Sequence, residues 1–438
     1  MQLPEKVNFN WQSVLQKALL DNTINIHEIA AENSEIAAEL KNANDSYEYW
    51  DKAKYTVLPE NISPELFWSI LKFKRCGLYA EKIKLGLNIF KYLINPEILR
   101  KMAFVQTFNA NMNLSLDEEN EYFANTKMEE AIASSKLEGA DVVRETAKEM
   151  LRANIPAANE SEQTVICSYK ALNFIEKHAD EKLSVNFIKK IYSIVMNLND
   201  TEVFRKDTQN VRVADIRDNE VLYKPPQATD IEMLLNSLCD YANMQTDADD
   251  IIKAAIIHFL FIYIHPFNAG NGKMARILFY WYAFKNGLNA FKYLTISKVL
   301  RMMPTQYAKA FLYVGIDEKD ITYFINFTLD VCFEAINNFK NFLEKKNAAD
   351  CTNVLINAEI KLNIRHQSII RELSENQNAR NIEYFKNKLG IVYETARKDL
   401  MYLAKKGFLT KRKKGKEFIY SLRKKLLKKL QKTQNPNS

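Results

Sequence analysis

A mainly α-helical protein of several domains is predicted by three features of the chain. Only ten glycines and ten prolines interrupt 438 residues. Leu, Ile, Lys, Glu and Ala recur with a helical period over long stretches, and alternating β-formers are confined to short segments. At roughly 100–200 residues per domain, the length allows two to four domains, with a core that needs no disulfide staples.

Residues 1–120 form the N-terminal region. Its first hundred or so residues read as several helices, punctuated at Asn42-Ala43-Asn44-Asp45 and between Leu58 and Pro64. Ser63 before Pro64 suits an N-cap followed by proline at the first helical position. Trp11, Tyr47, Tyr49, Trp50 and Trp68 are expected in the core rather than on a ligand platform.

The second domain is placed at 121–345. Within it, the helical run from Lys127 to Ala133 leads into Ser134-Ser135-Lys136-Leu137-Glu138-Gly139. Ser134 and Glu138, four residues apart, share a helix face, and Gly139 fits a C-terminal break. Taken alone, the pair reads better as ordinary helix-face residues. Val203-Phe204-Arg205, Val211-Arg212-Val213 and Val221-Leu222-Tyr223-Lys224-Pro225-Pro226 then break the helical period. The β-formers around Asp215 to Asn219 read as a short hairpin.

A buried apolar helix from Ala254 to Ile264 follows and carries His265 at its end, where Pro266 forbids another turn. Gly270-Asn271-Gly272 can take positive φ, so successive N–H groups can point inward where a second helix begins, around Arg276, Ile277, Tyr280 and Trp281. Such a place binds phosphate. His258 is expected to be a buried, hydrogen-bonded core residue. At His265 the neighbouring cradle favours a titratable base, since an imidazole of pKa ~6.5 is mostly unprotonated at neutral pH.

The third domain spans 360–424. Helices are expected at Arg365–Glu372, Ile382–Leu389 and Tyr393–Leu403, and Lys406-Gly407-Phe408-Leu409 leads into a basic two-stranded wing from Thr410 to Tyr420. Residues 425–438 are a basic tail. From Lys411 to Ser438 there are eleven Lys/Arg and one Glu, a local +10 against a total of +7, so the other 410 residues carry −3. That asymmetry points to a nucleic-acid contact confined to one module, or to a solvated tail that keeps the protein soluble.

Cys76, Cys167, Cys239, Cys332 and Cys351 are widely spaced with no C-x-x-C pair. They read as small buried hydrophobes in a reducing compartment. The N-terminus lacks an apolar signal-like segment, and the longest apolar run falls short of the ~18 residues of a membrane span. A soluble cytoplasmic protein with no membrane partner is expected.

The stretch from His265 to Arg276 closely resembles the signature of the Fic family, His-x-Phe-x-Asp/Glu-Gly-Asn-Gly-Arg-x-x-Arg, whose members typically transfer AMP from ATP to a protein hydroxyl. His265, Phe267, Gly270, Asn271, Gly272 and Arg276 fit it. Lys273 replaces the first arginine and Ala269 the acidic residue. The segment Ser134–Gly139 resembles the family's inhibitory helix, Ser/Thr-x-x-x-Glu-Gly/Asn, here at about 126–139 and ahead of the core. The hairpin looks like the Fic flap, and 360–424 resembles a winged helix-turn-helix, a common companion of bacterial Fic domains.

The resemblance implies a helical core with ATP as substrate. His265 is then the general base toward a target Ser, Thr or Tyr hydroxyl, and Phe267 packs inward. Gly270, Asn271, Gly272 and Lys273 hold phosphates, and Arg276 binds the γ-phosphate when Glu138 is displaced. Ser134 and Gly139 belong to the inhibitory motif. Leu222, Tyr223 and Lys224 clamp the target protein.

Lys273 keeps the charge of an arginine but loses its planar fork. Ala269 removes the carboxylate that the family sets against Mg²⁺, leaving the metal to the nucleotide's own phosphates; no metal-ligand residue is assigned. A slow or conditional protein adenylyltransferase is therefore expected. The alternative is a DNA-binding transcriptional regulator with a degenerate, nucleotide-sensing core. A third reading is transfer of another phosphate-containing group.

In the winged helix, Thr395, Arg397 and Lys398 would face the major groove of double-stranded DNA, with Leu400 and Leu403 packed inward. Lys413 and Lys414 would touch phosphate. The same module could serve protein–protein contact. The palindromic habit of such DNA sites suggests a homodimer.

Overall fold

The computed structural model describes residues 4–21, 36–111, 114–198, 204–206, 213–214, 221–357, 362–376, 379–414 and 417–423. The chain divides into two compact units, Met1–Ile336 and Asn337–Ser438.

The first unit opens with α1 (Trp11–Leu20), α2 (Ala37–Asp45), α3 (Trp50–Ala53) and α4 (Pro64–Cys76). Ser63 caps α4 as expected, its hydroxyl accepting the Leu66 N–H at 3.2 Å. Asn42–Asp45 lies within the last turn of α2 rather than between helices. The chain turns just after it, at Tyr47, with φ 51°.

The N-terminal region is not purely helical, which corrects the sequence reading. An antiparallel hairpin, β1 (Tyr79–Leu85) with β2 (Asn88–Leu93), turns at Gly86 with φ 58°. Ile83 and Leu85 point inward while Lys82 and Lys84 are exposed, a two-residue period four positions long. Lys, Glu and Leu favour helices, so so brief an alternation is easily outweighed.

Tyr47, Tyr49, Trp50 and Trp68 are buried, and Trp11 is half-buried with its indole N–H donating to Glu318. Beneath them Lys72 pairs with Asp317 at 2.7 Å, and Arg75 lies over the Tyr47 ring, 4.0 Å from its centroid. These buried charges are matched by partners, as burial requires.

The chain continues through α5 (Pro96–Ala110), α6 (Leu116–Leu137), α7 (Arg144–Ala153), α8 (Glu160–Lys177) and α9 (Val185–Met196). After the short strands β3 (Val213–Ala214) and β4 (Val221–Tyr223) come α10 (Ile231–Asn243), α11 (Asp250–Ile264) and α12 (Asn271–Lys285). Then follow α13 (Ile296–Met302), α14 (Pro304–Ile316) and α15 (Thr322–Asn357). Every residue of α11 from Ile251 to Phe261 is buried. A helix apolar on all sides belongs at the centre of a bundle, and α11 packs there against α10 and α12.

The second unit carries α16 (Ile364–Asn376), β5 (Arg380–Asn381), α17 (Ile382–Leu389), α18 (Tyr393–Lys405), β6 (Leu409–Lys414) and β7 (Glu417–Leu422). The three helices fall where the sequence places them. The expected two-stranded hairpin is present as β6 and β7, and a third short strand, β5, pairs with β7 to give the order β5-β7-β6. The two-residue β5 is too short to leave a periodic signal, and Asn381 doubles as the N-cap of α17. Ile369, Ile370, Phe385, Ala396, Leu400 and Leu403 are fully buried in this unit's core.

Cys167, Cys239 and Cys332 are buried, but Cys76 is exposed at the end of α4, against expectation. The side chain of Cys351 lies outside the described residues. Among the described residues no helix is long and apolar enough to cross a membrane.

Candidate functional site

The site is assembled where α11 ends and α12 begins. The Asp249 carboxylate caps α11 by accepting the Ile251 N–H at 2.9 Å. His265 closes the helix in the left-handed conformation, φ 49° and ψ 57°. Pro266 disfavours a helical residue before it, so the chain takes a conformation that costs a non-glycine residue about 1–3 kcal/mol. Burial lowers the His265 pKa to about 4. The nearby Arg205 guanidinium lowers it further, while the Ile262 carbonyl and Glu138 act in the opposite sense. The ring is therefore neutral at physiological pH.

The loop from Pro266 to Gly270 is fixed by two residues. Phe267 is fully buried and stacks on Tyr192 at 3.5 Å between centroids. Asn271 reaches back across the loop, accepting the Phe267 N–H at 3.0 Å and donating to the Phe267 carbonyl at 2.7 Å. Its side chain thus holds the loop rather than facing a ligand.

Gly270 has φ 75° and caps α12, with no room for a side chain: a Cβ would sit 2.9 Å from Met196 Sδ. The second helix starts at Asn271, five residues earlier than the sequence suggested. Gly272 lies in its first turn and does not take positive φ. The intrahelical ladder begins with Met274 N–H to Gly270 O, so the N–H groups of Asn271, Gly272 and Lys273 have no carbonyl within the helix to receive them. That is the geometry of an anion site at a helix N-terminus. Lys273 is buried beside it; burial lowers its pKa, and Glu138 opposes that shift.

Arg276, one turn further on, is 3% exposed. Its Nε donates to Ser134 Oγ at 3.0 Å, and its Nη2 donates to Ser134 O at 3.1 Å and to Glu138 Oε1 at 3.0 Å. Glu138 is the C-cap of α6, and Gly139 follows with φ 91°. The two distant motifs therefore meet, with Glu138 over the first turn of α12. Asn268 and Ala269 are exposed on the loop, and the Ala269 carbonyl accepts from Tyr192 Oη at 3.2 Å.

Helix α6 is held by a residue the sequence reading passed over. The buried Glu130 carboxylate accepts the Ser297 N–H at 3.0 Å and the Ser297 hydroxyl, and lies 3.0 Å from Tyr280 Oη. Burial raises its pKa. His258 is the core residue foreseen, 2.9 Å from Tyr307 Oη, and burial lowers its pKa to about 3.

The hairpin is present as the irregular antiparallel pair β3–β4. Val203, Val211, Arg212 and Asp215 to Asn219 lie outside the described residues. Tyr223 Oη donates to the Tyr263 carbonyl at 2.9 Å, and its ring meets Phe311 edge-on. Leu222 is half-buried and Lys224 exposed.

Arg205, singled out in the sequence only as part of a break in helical period, proves to be a hub. Its Nε donates to the His265 carbonyl at 2.8 Å, its N–H to the Pro266 carbonyl at 3.0 Å, and its Nη2 to the Pro226 carbonyl. All three acceptors are backbone atoms, which leave no mark in a sequence.

In the second unit, Arg397 and Lys398 are exposed on α18 and Thr395 is half-buried. Arg397 pairs with Glu394 at 3.0 Å. Lys413 is exposed on β6, and the Lys414 side chain lies outside the described residues.

A helical core thus sets a neutral histidine next in the chain to a glycine-led helix start that has no side-chain cap. Residues 182–283 match the model of the Fic/DOC family, so the chain carries a Fic/DOC domain. Fic-1 from C. elegans has a similar fold, with a TM-score of 0.50 and 16% identity over 77% of this chain and 94% of its own. A Fic family protein from Desulfovibrio desulfuricans aligns with a TM-score of 0.48 and 18% identity, over 76% of this chain and 97% of its own. The matched residues contain His265, the β3–β4 hairpin and the start of α12, whereas Ser134 and Glu138 lie outside them.

Proposed function

We propose that this chain is an autoinhibited protein adenylyltransferase. The reading rests on one observation: neutral His265 adjoins the free N–H groups of the α12 first turn, while Glu138 occupies Arg276.

In this reaction a target Ser, Thr or Tyr oxygen attacks the ATP α-phosphorus and gives its proton to His265. The new O–Pα bond replaces the Pα–O bond to the β-phosphate, and pyrophosphate leaves. The first-turn N–H groups and Lys273 offset phosphate charge, and Arg276 takes the γ-phosphate once Glu138 has moved. Phosphoryl chemistry asks mainly for positioning and charge neutralisation, which these groups supply.

The donor set does not fit a protein-held Mg²⁺ at the loop, because Ala269 offers only its backbone oxygen. No step above depends on a metal ligand from the protein.

The test is self-modification with labelled ATP. Glu138→Gly should become labelled, and the added change His265→Ala should abolish the label. A folded Glu138→Gly protein that transfers nothing to itself or to lysate proteins would sink the reading.

A second reading is favoured by the exposed basic residues of the C-terminal unit, Arg397 and Lys398 on α18 and Lys411, Arg412 and Lys413 on β6. We read this unit as a winged helix that binds duplex DNA through α18 and the wing. It is compatible with transferase activity in the first unit and is tested separately below.

A further inference from the structure

The catalytic loop and the flap are separate pieces of chain, yet transfer needs an acceptor hydroxyl lying along one to face a base carried by the other. The Arg205 side chain spans them. Arg205 is 6% exposed, and its guanidinium lies between the carbonyl of His265, where α11 ends, and the carbonyl of Pro226, where the chain leaves β4. Its own N–H binds the Pro266 carbonyl at 3.0 Å.

We propose that Arg205 is a positioning residue that sets the acceptor-binding flap in register with the His265 base. The proposal rests on the transferase reading and adds a determinant of it.

Three features support it. His265 closes α11 with its N–H on the Phe261 carbonyl at 3.0 Å, but Pro266 has no N–H for a second capping bond, and the His265 and Pro266 carbonyls that follow the helix are taken by Arg205. A planar guanidinium has donors in two directions at once, whereas an ammonium holds one carbonyl at a time. Moreover, Arg205 and Glu138 are the charged groups acting on the imidazole, and they do so in opposite senses. Losing Arg205 would therefore both free the loop and ease protonation of the base. The three carbonyls described for Arg205 belong to His265, Pro266 and Pro226 and not to α12, so nucleotide affinity is expected to change little without it.

The experiment compares Arg205→Gln and Arg205→Lys, each in the full chain carrying Glu138→Gly. Self-modification in Arg205→Gln should fall about tenfold or more, as a misplacement near 1 Å can cause. ATP affinity by calorimetry should stay within about twofold, and Arg205→Lys should fall between the two. Transfer within about twofold of Glu138→Gly would overturn the proposal, and so would a parallel loss of ATP binding in a folded protein.

Should Glu138→Gly itself transfer nothing, the transferase reading fails. The His265 ring then decides the inference, observed by NMR of ¹³C-labelled histidine and assigned with His265→Gln. A displaced resonance in both Arg205 variants, with a higher titration midpoint in Arg205→Gln, supports positioning of the loop. An unchanged resonance and midpoint in both overturns it.

Discussion

A Cβ on Gly272 would lie 2.3 Å from Oε1 of Glu138. The carboxylate therefore rests in the hollow that the glycine leaves at the start of α12, and two substitutions that both dislodge it should differ in outcome. Glu138→Gly empties the hollow, and ATP binding by calorimetry should tighten by ~1–3 kcal/mol, the usual size of coupling between two occupants of linked sites. Gly272→Ala evicts Glu138 but puts a methyl group in its place, so no such gain is expected.

Arg276 should matter more to stability than Glu138. Arg276→Ala leaves Ser134 and a partly exposed carboxylate without their donor and should cost about 2–4 kcal/mol. Glu138→Gln keeps a polar acceptor and should cost about 1 kcal/mol or less. Urea denaturation followed by tryptophan fluorescence reports on the first unit, because Trp11, Trp50, Trp68 and Trp281 all lie there. The reverse order of costs would show that Arg276 is held by something other than Ser134 and Glu138.

Acid should weaken the first unit before any carboxylate titrates fully. His265 and His258 are held neutral at pKa values of about 4 and about 3, whereas an unfolded histidine titrates near 6.5. Between these values the unfolded chain binds more protons, so stability is complete above ~6.5 and declines as pH falls, by up to ~1.4 kcal/mol per unit for each histidine. His258→Gln should flatten the decline between pH 6.5 and 5 by about half. The same shift makes the transfer rate of Glu138→Gly nearly level between pH 5.5 and 7.5, roughly, where an ordinary histidine base would lose activity.

Ala269 is exposed on the loop, so a carboxylate can be placed there without repacking. In the Glu138→Gly background, Ala269→Asp should lower the Mg²⁺ concentration needed for half-maximal transfer by about tenfold or more, since one anionic ligand is added. A magnesium titration with saturating ATP checks this. An unchanged requirement would mean that the loop does not approach the metal.

For the C-terminal unit, gel-shift titrations across salt concentrations are the relevant measurement. Arg397→Ala and Lys398→Ala should each weaken binding to duplex DNA and reduce the steepness of log K against log salt by about one unit. Arg397 must leave Glu394 to do so, and its effect should be the smaller of the two. Binding that ignores both substitutions would favour a protein-contact role for this unit.

Much of the candidate site was legible because its parts carry local constraints. His265 is betrayed by the proline after it and Gly270 by the turn it must make, whereas Ser134 and Glu138 were singled out by the resemblance of Ser134–Gly139 to an inhibitory motif, since a four-residue spacing suits any helix face. What was missed depends on distant backbone. Arg205 binds three carbonyls, and any residue type supplies a carbonyl. The start of α12 was placed late because Gly270-Asn271-Gly272 reads as loop, although only Gly270 needs glycine's freedom and Gly272 is small because Glu138 sits on it. Glu130 gave no signal, since its partners Tyr280 and Ser297 lie more than a hundred residues away.

That Glu130 contact has a consequence for timing. It fastens α6 two turns before Glu138, so the helix itself stays seated while the carboxylate beyond it turns aside. Such a side-chain rotation takes picoseconds to nanoseconds, whereas releasing a helix takes microseconds or longer. On the proposed reading, opening at Arg276 is then never the slow step, and Glu138 lowers nucleotide affinity and association rate alike, in proportion to the fraction of time it covers the arginine.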